Sequence, residues 1–115
     1  MTGEYTHYLD AKGRLSIPAR LRDELGNVFY VTLSMDNCLS AYSADSWKEF
    51  TDKVNSMSYK DQRRMRPLYA FAAKCELDNQ GRVLVPQKLR DYAGLTKIVT
   101  VVGCNNHADF WDTDT

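Results

Sequence analysis

The sequence predicts a mainly β protein with short helices (α+β), in which two repeated halves combine into one pseudo-two-fold β-barrel. Three observations carry that prediction. Asp10-Ala11-Lys12-Gly13-Arg14 returns sixty-eight positions later as Asp78-Asn79-Gln80-Gly81-Arg82. Each copy then runs through an apolar stretch and a proline into a helix-like segment, Pro18 to Asp23 and Pro86 to Asp91, closed by Gly26 and Gly94. Two further strand-like runs follow in each copy. A self-match at one fixed offset, with only two copies, marks a duplicated half-domain and not a solenoid array.

The elements follow in order. Tyr5, His7 and Leu9 alternate with Thr6, Tyr8 and Asp10, which is strand periodicity. Residues Tyr5 to Ile17 therefore read as a β-hairpin. Its turn has Asp at the first position and Gly at the fourth, the preferences of a type I turn. The aspartate can also close an Asx turn onto a backbone N–H two residues on. Asp78 to Gly81 repeats this chemistry. Pro18 and Pro86 suit the first turn of a helix, and Gly26 and Gly94 suit its end. Leu21 with Leu25, and Leu89 with Ala93, form the apolar stripes. Phe29 to Leu33 and Leu39 to Tyr42 read as strands, matched by Ile98 to Val102 and Ala108 to Trp111. Neither half can close a core alone, and interleaving the two removes sheet edges.

The first half is assigned residues 5–47, a helical connector 48–72, and the second half 73–115. In the connecting region, Trp47, Phe50, Val54 and Met57 recur at helical spacing after Ser43, a natural N-cap. This stripe suits either the core or a neighbouring subunit. A second helix is expected from Ser58 to Arg66, ended by Pro67, with a return to strand from Leu68 to Leu77. The second half has no counterpart to the Trp47 helix before Thr115.

Composition bounds the function. Hydrophobic residues make up 43% and charged residues 26%, which favours a folded core over disorder. Fifteen Lys and Arg balance fifteen Asp and Glu, so bulk charge points to no partner and any anion site must arise locally. No apolar run approaches the ~20 residues of a membrane helix. Cys38, Cys75 and Cys104 form an odd, unspaced set that fits a reducing cytosol.

Turn chemistry accounts for Asp10, Gly13, Asp78 and Gly81. It leaves Arg14 and Arg82 unexplained, because an exposed Asp–Arg pair is worth only ~0–1 kcal/mol. Two cationic clusters result: Lys12, Arg14, Arg20 and Arg22, then Arg82, Lys88 and Arg90. Clustered guanidiniums suit phosphates and guanine edges, and a neighbouring aspartate orients the fork. DNA contact is the expected role of these cations together with Asp10 and Asp78. Cys104 and His107 have metal-like spacing, but no second pair accompanies them, so neither a metal nor a cofactor is expected. No nucleophile elbow, phosphate loop or dinucleotide loop occurs, so no enzyme is expected.

Leu9 to Pro18 and Cys75 to Pro86, together with Leu95-Thr96-Lys97 and Phe110-Trp111-Asp112, resemble the MraZ proteins of bacteria. The resemblance covers nearly the whole chain. It implies an AbrB/SpoVT-like, double-split swapped-hairpin barrel with both halves fused. It further implies a transcriptional regulator of the cell-division and cell-wall gene cluster that forms a ring and binds repeated promoter sites in double-stranded DNA. Such a protein would be cytoplasmic and nucleoid-associated. By motif, Asp10, Arg14, Asp78 and Arg82 would line its DNA-facing surface. Family members usually continue into a further helix, which this chain is expected to lack. The rival reading is a protein-interaction module, antitoxin-like or an adaptor, whose basic face meets an acidic partner.

Overall fold

The computed structural model describes residues 1–114. The first half contains β1 (Glu4–Tyr8), β2 (Arg14–Ser16), α1 (Ala19–Leu25), β3 (Val28–Leu33) and β4 (Leu39–Ser43). Three connecting helices follow: α2 (Ala44–Asn55), α3 (Tyr59–Arg64) and α4 (Arg66–Phe71). The second half repeats the pattern with β5 (Ala73–Glu76), β6 (Arg82–Leu84), α5 (Gln87–Ala93), β7 (Ile98–Gly103) and β8 (Ala108–Asp112).

The halves exchange strands. β1 pairs antiparallel with β7 of the other half, from Glu4↔Val102 to Tyr8↔Ile98. β5 pairs with β3, and β2 with β6. The large sheet has the order β1-β7-β8-β4-β3-β5, which reads the same backwards when the halves are exchanged. The expected hairpin over Tyr5 to Ile17 is therefore cut short: its arms are joined next to the turn, by the Leu9↔Leu15 bridge and the 3.0 Å bond from the Asp10 N–H to the Arg14 carbonyl, while β1 and β2 beyond it take partners in the other half. Pairing across the halves buries apolar residues of both together. Leu15 and Val83 face each other in β2 and β6, both fully buried.

One core draws on both halves. Leu15, Ile17, Leu21, Leu25, Phe29 and Val31 meet Val83, Val85, Leu89, Val99, Val101 and Phe110. Burying each such side chain is worth roughly 1.5–3 kcal/mol, so neither half retains its stability without the other. Cys75 belongs to this core and Cys38 is buried outside it, and burial pushes both thiols up to about 11.

The connector packs on its own chain. Ser43 caps α2 by accepting from the Ser46 N–H at 3.2 Å. Trp47 stacks on Tyr30 with ring centroids 5.3 Å apart, Phe50 lies against Tyr42, and Val54 is buried. Met57 falls beyond the end of α2 and is partly exposed. The assigned division between residues 47 and 48 falls inside α2. The strand expected from Leu68 is also corrected, because α4 occupies Arg66–Phe71 and β5 begins only at Ala73. Pro67 starts this helix instead of forbidding it, since a first-turn residue needs no N–H donor. Leu68 is buried, and its carbonyl accepts from the Thr32 hydroxyl on β3.

Candidate nucleic-acid interface

The two turns carry the same bonding, atom for atom. Gly13 N–H donates to the Asp10 carbonyl at 3.0 Å, and Gly81 to that of Asp78 at 3.0 Å. Asp10 Oδ1 accepts from the backbone of Lys12 and of Arg14, each at 2.9 Å, and its Oδ2 accepts from Arg14 Nε at 2.8 Å. Asp78 Oδ1 accepts from Gln80 at 2.8 Å and from Arg82 at 2.9 Å, and its Oδ2 from Arg82 Nε at 3.0 Å. One carboxylate oxygen therefore shapes the turn, and the other holds the arginine. With Nε fixed, the Nη groups form the outer end of each fork, Nη1 of Arg82 also standing 3.8 Å from Asp10 Oδ2.

These bonds favour the ionised carboxyl. The Arg14 backbone N–H lowers the Asp10 pKa below 3.8, and the Arg82 backbone N–H does the same for Asp78, against the opposing effect of partial burial. A depressed carboxyl stabilises the fold fully above the unfolded value and loses that contribution as pH falls through the folded pKa. Carbon-detected NMR titration is expected to give both aspartates pKa values below 3.8. Either one titrating at or above the ordinary value would refute this turn chemistry.

The ribbon of β2 and β6 sets the direction of the arginines. Leu15 and Val83 point inward, so Arg14, Ser16, Arg82 and Leu84 share the outer face by strand alternation. Arg14 stands opposite Leu84 and Ser16 opposite Arg82, which makes the two arginines diagonal neighbours. Arg82 Nη1 lies 3.8 Å from Asp10 Oδ2 and links the two turns. Asp10, Arg14, Asp78 and Arg82 thus form one cluster. Lys12 is exposed on the first turn.

The other cations expected at the site have different surroundings. Arg22 Nε donates to the Ile17 carbonyl at 2.8 Å, and its guanidinium covers Gly81. Arg90 Nε donates to the Val85 carbonyl at 2.9 Å, and its guanidinium covers Gly13. Each half thereby braces the other half's turn from beneath. Lys88 reaches the Ala70 carbonyl at 3.4 Å and lies over the Phe71 ring. Arg20 lines a hollow with Thr2, Tyr5 and Glu24. Lys60, Arg63, Arg64 and Arg66 form another basic patch around α3 and α4.

Sequence reasoning missed several residues beside the cluster. Leu84 is 59% exposed on the arginine face, and alternation from Arg82 could have found it. Tyr8, Thr96 and Lys97 line a hollow of about 440 Å³ against Asp10 and Arg90. Only strand exchange brings Lys97 there, where its carbonyl accepts from Leu9 at 2.8 Å.

Known proteins resemble this chain along nearly its whole length. The chain is 45% identical over 115 residues to a protein of Alkaliphilus metalliredigens (strain QYMF) named "Transcriptional regulator MraZ", covering 97% of this chain and 80% of that relative. It is 46% identical over 113 residues to a protein of the same name from Acetivibrio thermocellus, covering 96% of this chain and 79% of that relative. Residues 1–66 and 68–115, one match for each copy of the turn, fit the family model described as "MraZ protein, putative antitoxin-like". With both halves matched and near-half identity along almost its full length, this chain belongs to the MraZ family.

Proposed function

We propose that this protein is a transcriptional regulator, not an enzyme, and that it acts by binding double-stranded DNA sequence-specifically through the β2–β6 ribbon. The observation that carries the reading is the diagonal pair Arg14 and Arg82 on the ribbon's outer face, each aimed by its own aspartate. A two-stranded ribbon fits the major groove, and bidentate arginine reads the O6 and N7 edge of guanine. Lys12 adds a phosphate contact from the turn. Arg22 and Arg90 hold the turns in position, and Arg20 and Lys88 supply flanking charge. Both relatives named above are called transcriptional regulators.

Family resemblance supplies the finer reading. The sites are repeated elements upstream of the cell-division and cell-wall gene cluster, and the active form is a ring of identical chains. A chain whose formal charges cancel has few cations to offer, so one ribbon binds weakly. A ring presents several ribbons to several repeats and gains avidity without new contacts. The protein would then reside on the cytoplasmic nucleoid. No helix among the described residues is long and apolar enough to cross a membrane.

A mobility-shift titration at fixed salt tests the proposal, comparing a repeat-bearing duplex with a scrambled duplex of equal length. Preference for the repeats is expected to reach at least ~10³-fold, the lower range for specific over non-specific sites. Equal binding to both duplexes would favour the basic face as a docking surface for an acidic protein.

A further inference from the structure

The turn between β7 and β8 gathers a second set of chemically active side chains. The ligand atoms of Cys104, His107 and Asp109 all lie within 4.8 Å of one another. Cys104 Sγ is 3.5 Å from Asp109 Oδ2, and His107 Nε2 is 3.2 Å from Asp109 Oδ1. Zinc ligands at about 2.0–2.3 Å in a tetrahedron stand about 3.3–3.8 Å apart. The thiol and the imidazole each stand at about such a spacing from the Asp109 carboxylate, one from each of its oxygens, and drawing all three ligand atoms around one ion requires contraction by up to about 1 Å from spacings of at most 4.8 Å. Strand alternation brings Asp109 to the side of His107, so Cys104 and His107 acquire the partner that their spacing alone did not reveal.

The histidine contacts point the same way. Its Nδ1 faces Asn106 Oδ1 at 2.9 Å, and its Nε2 faces the Asp109 carboxylate. Both partners are acceptors, but a neutral imidazole carries a single N–H. One contact therefore sets lone pair against lone pair unless the ring gains a second proton, the Asn106 amide turns its NH2 to Nδ1, or a cation takes Nε2. A metal on Nε2 resolves this, because Nδ1 then keeps its N–H for Asn106, the outer hydrogen bond typical of a metal-bound histidine. Ser40 holds the carboxylate with a 2.8 Å hydrogen bond, and the His107 ring stacks on Tyr42 at 5.2 Å. The hairpin fixes the backbone through Cys104 N–H to the His107 carbonyl at 2.7 Å. His107 and Asp109 keep 25% and 17% side-chain exposure, which leaves an entry route.

We propose that Cys104, His107 and Asp109 bind one divalent transition-metal ion of the zinc class, with water in the fourth position. Thiolate, imidazole and carboxylate together suit zinc and cobalt better than magnesium or calcium. On binding, the Cys104 S–H bond breaks, its proton passes to solvent, and a metal–sulfur bond forms. Thiolate and carboxylate then neutralise the dication. The site lies at the Gly103 end of β7, while the arginine ribbon follows from the Ile98 end, the length of a six-residue strand or about 20 Å away. Metal binding and DNA binding can accordingly be assayed apart.

The test uses the metal-stripped full chain titrated with cobalt(II). One cobalt per chain is expected, with a thiolate-to-cobalt charge-transfer band and the strong visible absorption of a tetrahedral ion, both erased by zinc. Cys104→Ser should lose the charge-transfer band, and Cys75→Ser should keep it. His107→Ala alters only a partly exposed ring, and its cobalt affinity should fall at least tenfold. Absence of the band in the unaltered chain, its survival in Cys104→Ser, or unchanged affinity in His107→Ala would overturn the proposal.

Discussion

Replacing both ribbon arginines, Arg14→Ala with Arg82→Ala, is expected to abolish specific DNA binding while the fold survives. Each bidentate arginine–guanine contact discriminates by about 1–3 kcal/mol. Losing two removes roughly 2–6 kcal/mol per ribbon, a fall in affinity of about 30-fold or more. In the ring proposed above the loss is multiplied, since every subunit would contribute the same pair. The fold should tolerate the change because both side chains stand on the outer face, while Leu15 and Val83 hold the inner one. Asp10 and Asp78 keep their backbone donors in the variant. Arg14→Lys with Arg82→Lys should rescue little, because an ammonium lacks the planar fork and the Nε that the aspartate grips. Fluorescence anisotropy with a repeat-bearing duplex measures the effect, and a thermal melt checks the fold. Wild-type affinity in a folded double-alanine variant would remove these arginines from the interface.

Gly13→Ala and Gly81→Ala are each expected to destabilise the fold strongly. Gly13 has φ +86° and Gly81 φ +74°, conformations that cost an L-residue about 1–2 kcal/mol. Space is lacking as well, because a Cβ at Gly13 would lie 2.6 Å from Arg90 Cζ and one at Gly81 would strike the Arg22 guanidinium. Neither arginine can withdraw without breaking its Nε bond to the carbonyl of Val85 or Ile17. Losing such a charged hydrogen bond adds about 1.5–3 kcal/mol. The total is on the order of 2–5 kcal/mol at each site. Gly94 is an internal control, with φ +64° and nothing within 4 Å of an added Cβ. Gly94→Ala should therefore cost only about 1–2 kcal/mol. Urea denaturation reads all three, and equal losses would show that the arginine braces contribute nothing. Adding Arg90→Ala to Gly13→Ala should cost less than the sum of the single changes, since the clash is already gone.

Legibility followed the range of the forces involved. The Asp10 and Asp78 turns were readable because their donors and acceptors lie within five residues. The caps were readable for the same reason: Ser43 reaches only Ser46, and Gly26 and Gly94 sit at positive φ where the helices end. Pro67 misled because one residue type serves both to stop a helix and to start the next, and burial of Leu68 decides between them. The stripe of α2 was equally ambiguous until Tyr30 and Tyr42 on the adjacent sheet claimed Trp47 and Phe50.

By itself the sequence determined the duplication, the shape of the two turns, the short helices after Pro18 and Pro86, and the pairing of each aspartate with its arginine. All of these rest on bonds between near neighbours or on a pattern compared with itself. Tertiary structure alone decided that the hairpin arms part, that β2 meets β6, and that Arg14 and Arg82 become diagonal neighbours on one ribbon. It also sent Arg22 and Arg90 beneath the opposite turns. The reason is the same throughout. Strand partners are chosen by which apolar faces become buried together, and that choice joins residues dozens of positions apart whose local sequences carry no record of each other.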